Sequence, residues 1–187
     1  MMPLLLGLLS SPAVATDAPP LPQGRLEVAP LVGGAYFARK FGLRASVVYG
    51  GELSHHFLFD HEYLVVGMFA RVYGSQSGFS NLPDTKVDVV IGSAGASLGL
   101  RGLGRFMPFV RAGSGFLFAD ATPSGFEVRG RVGYEVALGA RYYPVDWLVV
   151  RGEVGAFMHD NLPLGAGSGQ AGNAIHWFPI VSLGVVR

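Results

Sequence analysis

The chain has no cysteine among its 187 residues and few charged side chains. Without cysteine it can form neither a disulfide framework nor a thiolate metal site. Charged residues make up 14% of the sequence, against about 25% in an average soluble domain. The formal net charge of +1 offers no basic patch for nucleic acid, so we expect no nucleic-acid partner.

A long apolar run is also missing. No stretch of about 18 apolar residues follows residue 15, which leaves no candidate transmembrane helix. Hydrophobic residues nevertheless make up 50% of the chain. An apolar composition without an apolar run indicates that hydrophobic residues alternate with others, as they do in strands. The 28 glycines and the 12% aromatic content suit strands that curve and end at an interface.

The first 24 residues differ from the rest. Residues 1–15 have the pattern of a secretory signal peptide, because an apolar core, Leu4–Leu9, precedes the small-x-small cleavage pattern Ala13-Val14-Ala15. Residues 16–24 contain three prolines, which predicts an extended lead-in. We expect the remaining residues, 25–187, to form a single β domain.

The segment Val128–Tyr142 shows the alternation most clearly. Apolar residues such as Val136 and Leu138 occupy the even-numbered positions, and charged residues such as Arg131 and Glu135 occupy the odd-numbered positions. We call these two alternating sets of positions the two parities of a strand. Typical strands run about 5–6 residues, whereas a strand that crosses a bilayer at a tilt needs roughly 9–11. The length favours a membrane-spanning strand, although a soluble sandwich strand would alternate in the same way.

Eight strand segments follow residue 24. They are Arg25–Phe37, Arg44–Phe57, Glu62–Gly74, Val87–Arg101, Pro108–Ala119, Val128–Tyr142, Trp147–Met158 and Ala174–Arg187. The connections Leu58–His61, Gly102–Met107 and Pro144–Asp146 are short, as is the first, Ala38–Leu43, whereas Ser75–Lys86, Asp120–Glu127 and His159–Asn173 are longer. Short turns at one end and longer loops at the other are typical of membrane barrels. The sequence therefore predicts an all-β fold, an eight-stranded antiparallel up-and-down transmembrane β-barrel.

Several segments are similar to those of the small eight-stranded outer-membrane barrels of bacteria, the OmpA-like and OmpX-like group. The resemblance rests on Gly113-Ser114-Gly115, Gly133-Tyr134-Glu135, Leu138–Tyr142, Tyr143–Trp147 and Arg151-Gly152-Glu153. It implies a location in the bacterial outer membrane with both termini in the periplasm, so that residues 16–24 become a periplasmic lead-in. It also implies outer-membrane lipid and the outer-membrane assembly machinery as partners, with extracellular loops that could bind a protein partner.

Charged residues occupy the positions of the predicted strands that face the lumen. Because the interior of an eight-stranded barrel is only wide enough for side chains, these groups should pair with one another and plug the lumen. The predicted lumen network comprises Arg44, Glu52, Arg71, Arg111, Arg129, Arg131, Glu135, Arg141, Arg151 and Glu153, with Glu27 as a further inward acid.

The outward parity carries aromatic residues near the strand ends. In membrane barrels, aromatic girdles lie at the level of the lipid headgroups. The predicted aromatic belt comprises Tyr36, Tyr49, Phe57, Phe116, Phe118, Tyr134, Tyr142, Trp147 and Trp177.

Neither catalysis nor a metal site is expected. Some barrels that resemble this one modify lipid A, and the lipid A deacylase group has a His-x-Ser pair on one strand. The residues two positions after the five histidines are Phe57, Leu58, Tyr63, Asn161 and Phe178, none of which is serine. Adjacent strand residues such as His55 and His56 point to opposite faces and are poorly placed to share a metal ion. We therefore expect no enzyme activity, no cofactor and no metal.

These observations predict an outer-membrane barrel with a structural or interaction role, whose loops carry any recognition. Two alternatives remain open. The lumen could be a narrow pore for small solutes or anions, and arginine exceeds glutamate among the inward-facing residues, which favours anions. A secreted, lipocalin-like barrel with a bound apolar ligand would instead need apolar residues facing the lumen and charges facing solvent.

Overall fold

Eight antiparallel strands close into one barrel in chain order. The computed structural model describes residues 26–38, 42–58, 63–80, 84–101, 103–122, 129–159 and 174–187. The strands are β1 Leu26–Ala35, β2 Ser46–Leu58, β3 Leu64–Gly78, β4 Lys86–Leu100, β5 Phe106–Thr122, β6 Arg129–Val145, β7 Leu148–His159 and β8 Ala174–Val186. The predicted strand number and up-and-down order are confirmed. The predicted signal peptide, residues 1–15, and lead-in, residues 16–24, lie outside the described residues.

Within the part of the chain that the structure describes, no helix is long and apolar enough to cross a membrane.

The barrel closes through pairing of β1 with β8. At one end, the Leu26 amide donates to the Arg187 carbonyl at 3.0 Å, and the Arg187 amide donates back at 2.9 Å. At the opposite end, Tyr36 and Trp177 exchange amide-to-carbonyl bonds of 2.8 and 2.9 Å. Closure removes the unpaired edges that an open sheet would present. We call the end near Leu26 and Arg187 the turn end, and the opposite end the loop end.

The barrel wall reaches further toward the loop end than the sequence predicts. The sequence predicts a loop over Ser75–Lys86. Both boundaries of that loop are wrong, because the β3–β4 ladder continues to the pair Gly78↔Lys86. Across this extension the side-chain amide of Gln76 donates to Asp88, its partner on the neighbouring strand, at 2.9 Å, and such cross-strand pairs stabilise a sheet. Likewise β5 continues to Thr122, beyond the predicted start of a loop at Asp120.

Successive residues face opposite sides of the wall, as the period of a strand requires. On β6 the outward residues Val132, Val136 and Leu138 are 77%, 43% and 66% exposed, whereas the intervening Glu135 and Ala137 are buried. The other strands repeat this pattern, so the exterior of the described barrel is apolar. Such an exterior suits lipid, and it is the opposite of the charged exterior that a soluble lipocalin-like barrel needs.

Inward glycines let neighbouring strands and side chains approach closely. Gly95 on β4 faces the interior beside β5, and a Cβ added there would collide with the backbone of Ala112 and Gly113. Gly152 on β7 faces outward, and an added Cβ would meet nothing within 4 Å. The two glycines therefore form a matched pair for testing the packing.

We predict that Gly95→Ala lowers the free energy of unfolding by about 1–3 kcal/mol, because overpacking forces the backbone to shift. Gly152→Ala should instead be neutral or stabilise by about 0.4–1 kcal/mol through the unfolded state. Urea titrations of the refolded protein, followed by tryptophan fluorescence, measure both values. Equal effects of the two substitutions would contradict the close approach at Gly95.

Candidate functional site: the lumen

The described side chains of the lumen form three layers. A small apolar cluster at the turn end, the turn-end layer, contains Val65, Met107, Tyr143, Val149 and Val186. Charged groups fill the middle. A larger apolar cluster, the loop-end layer, has as its largest fully buried members Tyr73, Phe157, Phe178, Ile91, Leu117 and Ile180.

The middle layer is a continuous chain of alternating acids and bases, which we call the ionic chain. Each consecutive pair lies within ion-pair distance, and every member is buried. In order, its members are Glu135, Arg71, Glu153, Arg111, Glu52, Arg151, Glu27 and Arg141.

One end of the ionic chain is held by a bidentate pair. Arg71 Nε donates to Glu135 Oε2 at 2.9 Å, while Arg71 Nη2 donates to Glu135 Oε1. The Ser93 hydroxyl also donates to Glu135 Oε2 at 2.5 Å. Bidentate guanidinium–carboxylate pairs are among the stronger hydrogen-bonded pairs in proteins. The remaining nitrogen of the fork, Arg71 Nη1, donates to Glu153 Oε1 at 2.6 Å, so that the chain continues.

The central glutamates each bridge two guanidinium groups. Glu153 Oε1 accepts from both Arg71 and Arg111. Glu52 accepts from Arg111 Nη1 at 2.7 Å through one oxygen and from Arg151 through the other. These contacts join β3 to β7, β5 to β7, β5 to β2 and β2 to β7, none of which are neighbours in the sheet. The ionic chain therefore braces opposite walls of the barrel.

Glu27 resolves a conflict between two arginines. Arg141 and Arg151 are direct partners across β6 and β7, and like charges in that position are destabilising. Glu27, on β1, lies 3.3 Å from Arg141 Nε and 3.2 Å from Arg151 Nη1. His56 Nε2 also lies 3.1 Å from Glu27 Oε2. The sequence analysis did not assign His56 to the network, although its parity with Glu52 on β2 is the signal for an inward position.

Aromatic rings cover the faces of three guanidinium groups. Arg71 lies 4.9 Å from the ring centre of Tyr73, Arg111 4.7 Å from that of Phe69, and Arg141 4.3 Å from that of Phe109. A guanidinium group donates hydrogen bonds at its edge and stacks through its face. Carboxylates at the edge and rings on the face thus contact both kinds of surface of these three guanidinium groups.

Two of the predicted network arginines, Arg44 and Arg131, do not join the ionic chain. Arg44 is exposed and precedes β2, so its predicted inward position is wrong; its amide donates to the Gly78 carbonyl at 2.9 Å. Arg131 is only half-buried, toward the loop end. Arg129 pairs through its backbone with Ala119, and its side chain lies outside the described set.

Buried arginines and buried glutamates are equal in number among the described residues. Among the described residues, the buried arginines are Arg71, Arg111, Arg141 and Arg151, and the buried glutamates are Glu27, Glu52, Glu135 and Glu153. The excess of arginine that suggested an anion-favouring pore includes Arg44, which is exposed, and Arg131, which is only half-buried.

The loop-end layer is the feature that the sequence analysis missed. Tyr73 and Phe178 pack edge to face with ring centres 5.2 Å apart, and Phe37 packs on Phe178 at 6.4 Å. A signal exists in segments that are apolar at both parities, such as Phe116–Ala119, where Leu117 faces inward between outward phenylalanines. Every second residue of such a segment must face the lumen, so some of its apolar residues lie inside the barrel.

All nine residues of the predicted aromatic belt lie on the exterior. Their exposed fractions range from 42% for Phe116 to 67% for Tyr134. Phe57, Tyr142 and Trp147 lie toward the turn end, and the other six lie toward the loop end. Two of the rings also complete the wall, because Phe116 covers Gly92 and Phe118 covers Gly130 on the neighbouring strands.

Within the described ranges, no group of three histidine, cysteine, aspartate or glutamate side chains could hold a metal ion.

Comparisons with known proteins give a fold without a family. No protein-family model matches the chain, and no curated protein matches its sequence. Ail, the attachment invasion locus protein of Yersinia pestis, superposes with a TM-score of 0.60 at 13% identity, over 88% of this chain and 99% of Ail. A second Ail structure holds the heparin analogue sucrose octasulfate, and its TM-score is 0.58 at 11% identity, over 88% of this chain and 99% of that one.

Two further structures agree. Neisserial surface protein A matches with a TM-score of 0.56 at 12% identity, over 87% of this chain and 97% of its own. The N-terminal barrel domain of Pseudomonas aeruginosa OprF matches with a TM-score of 0.56 at 15% identity, over 88% and 98%. The chain thus has the fold of the small eight-stranded outer-membrane β-barrels.

We predict that Glu135→Gln lowers the free energy of unfolding by about 3 kcal/mol, because it leaves Arg71 partly uncompensated in a buried site. Asp84→Asn, which removes an exposed carboxylate in a turn, serves as the control and should change stability by less than about 0.5 kcal/mol. Equilibrium unfolding in lipid vesicles measures the difference. Similar small effects would mean that the ionic chain does not stabilise the barrel.

Proposed function

We propose that the protein is an integral β-barrel of the bacterial outer membrane that has a structural or interaction role and a lumen closed to ions. The observation that carries this proposal is the stack of turn-end layer, ionic chain and loop-end layer across the lumen. A permeating ion would have to displace two apolar layers and separate bridged arginines from their glutamates. Breaking one buried ion pair costs about 3–5 kcal/mol, and several lie in series.

The location is supported by the exterior and by the fold. The exterior apolar belt with aromatic residues toward both ends is the arrangement that a bilayer requires. Ail, Neisserial surface protein A and the OprF barrel share the fold. By analogy with membrane barrels in general, the turn end and both termini face the periplasm, and the chain would reach the membrane through the outer-membrane assembly machinery.

Recognition, in this proposal, belongs to the loop end. Binding functions concentrate on loops that a rigid scaffold positions, and the braced barrel is such a scaffold. The connections at residues 79–85 and 160–173 are the candidates for a protein partner. Ail, solved with a heparin analogue, provides a precedent for a ligand on a barrel of this fold.

We predict that Val136→Arg, in the middle of the outward face of β6, destabilises the barrel in lipid by about 2–4 kcal/mol. Val132→Arg, nearer the loop end of the same face, should cost at most about 1 kcal/mol, because charge is tolerated near the interface. Unfolding titrations in bilayers of defined thickness measure both. If the two substitutions cost the same small amount, this face of β6 does not contact lipid.

Conductance tests the closed lumen directly. We predict that the purified protein, inserted in planar bilayers at neutral pH, shows no steady conductance, while its band on gels shifts with heating as expected for a folded barrel. A general porin in the same bilayers is the positive control. Steady ohmic anion current from the folded protein would overturn the closed lumen and favour the narrow pore.

A further inference from the structure

The ladder between β1 and β8, which we call the seam, has a register that is fixed at both ends. Leu26 and Arg187 exchange amide-to-carbonyl bonds at the turn end, and Tyr36 and Trp177 exchange them at the loop end. In an antiparallel ladder such bonded positions recur at every second residue. The even-numbered residues of β1 and the odd-numbered residues of β8 therefore direct their backbone N–H and C=O groups across the seam.

A proline occupies one of these bonded positions on each strand. By the same register, Pro30 on β1 is opposite Leu183, and Pro179 on β8 is opposite Gly34. Proline has no backbone N–H to donate. The carbonyl groups of Leu183 and Gly34 thus lack the donor that any other residue at positions 30 and 179 would supply.

The ladder is interrupted at both prolines. Backbone pairs form at residues 27–28 and 31–33 of β1 but not at residues 29–30 and 34–35, all of which are described. The ladder between β3 and β4, by comparison, runs without a gap along the whole of β3. The seam is therefore less completely bonded than that ladder.

Both prolines leave the neighbouring hairpins intact. Pro30 pairs with Gly51 in an uninterrupted β1–β2 ladder, and Pro179 pairs with Val154 in an uninterrupted β7–β8 ladder. Because bonded positions alternate between the two neighbours of a strand, a proline one residue away would remove a donor from a hairpin. At their actual positions the two prolines remove donors from the seam.

Ion pairs do not compensate for the lost bonds. Among the described residues, no member of the ionic chain lies on β8, and its one member on β1, Glu27, binds Arg141 and Arg151 on β6 and β7. The side chains that face the lumen behind the interrupted part of the seam carry no charge; they are Leu31, Gly33, Ile180 and Ser182.

The seam is held instead at its two ends. At the turn end, residues 26–28 of β1 face no proline. At the loop end, the bonds that Tyr36 and Trp177 exchange are 2.8 and 2.9 Å long, and the Ala38 amide donates to His176 Nδ1 at 3.3 Å. The prolines lie between these two bonded ends.

Between the prolines, Val32 and Val181 are the one pair of bonded positions in which both residues carry a donor. Within a bilayer no water replaces a missing backbone hydrogen bond, and each missing bond lowers the cost of separating the strands. We propose that the middle of the seam is the compliant side of the barrel, where β1 and β8 separate locally while the hairpin ladders and the ionic chain stay in place. Such a local opening is distinct from global unfolding.

Hydrogen exchange of the unmodified protein in lipid tests the proposal. The amides of Val32 and Val181 should show roughly tenfold lower protection than those of Phe69 and Gly95, because two neighbouring bonds are absent from the seam. Phe69 and Gly95 are partners in the unbroken β3–β4 ladder, and intrinsic exchange rates are corrected for each residue. Equal or higher protection of the seam amides would overturn the proposal.

The profile along the seam gives a second readout. Strand ends normally open more easily than strand centres. Val28 and Val185 are partners nearer the turn end, and neither is opposite a proline. Their amides should nevertheless be better protected than those of Val32 and Val181. Protection that falls steadily from Val32 to the turn end would indicate ordinary fraying and would refute the compliant middle.

Restoring the donors assigns the effect to the prolines. The double variant Pro30→Ala/Pro179→Ala should raise the protection of Val32 and Val181 roughly tenfold. Pro108→Ala, on β5, changes the unfolded chain in the same way but lies away from the seam, so it should leave that protection unchanged. A double variant that folds without a gain at the seam, or an equal gain in Pro108→Ala, would contradict the proposal. Because the first two measurements use the wild type, the proposal stays testable even if the double variant does not fold.

Discussion

Charge neutrality inside a narrow closed wall is the constraint on which the structure depends. An eight-stranded barrel leaves room for side chains and little else, so each buried charge must find its counter-charge among residues of the same chain. The ionic chain meets this requirement with alternating arginines and glutamates, each interior member of which contacts at least two partners. Glycines such as Gly139 make the necessary space, since a Cβ there would lie 2.7 Å from that of Glu153. The apolar layers above and below keep water away, which strengthens every ion pair between them.

This arrangement is the reverse of the one in a soluble protein. The polar groups form the core and brace the walls, whereas the apolar residues form the surface that lipid covers. The ion pairs between strands that are not neighbours brace the wall. Among the described residues, four buried arginines face four buried glutamates, and bridging glutamates such as Glu52 hold arginines of two strands together. The proposed closed lumen and the proposed recognition at the loop end both build on this bracing.

Much of this fold could be predicted because the alternation of apolar and polar residues in the sequence indicates which face of the wall each residue occupies. Alternation around Glu135 and Val136 correctly assigned the two faces of β6, and the same rule worked on every strand. Parity does not report height along the barrel axis, however, which is why Arg44 was assigned to the lumen although β2 begins only at Ser46. The alternation also does not show how far each strand is shifted along its neighbours. The contact of Glu27 with Arg141 depends on that shift. The loop-end layer escaped prediction because apolar residues on both parities, as at Leu117, look like lipid-facing residues throughout.

The ionic chain and the closure of the barrel depend on each other. Buried polar groups in proteins need partners, and arginine stays protonated at any physiological pH, so a buried arginine needs a carboxylate. Arg71 on β3 finds its carboxylates on β6 and β7, and Arg151 on β7 finds two of its own on β1 and β2. Because these strands are not neighbours in the sheet, the ion pairs come together only when the sheet closes. Closure in turn leaves the arginines without solvent, so the wall and the ion pairs inside it stabilise one another.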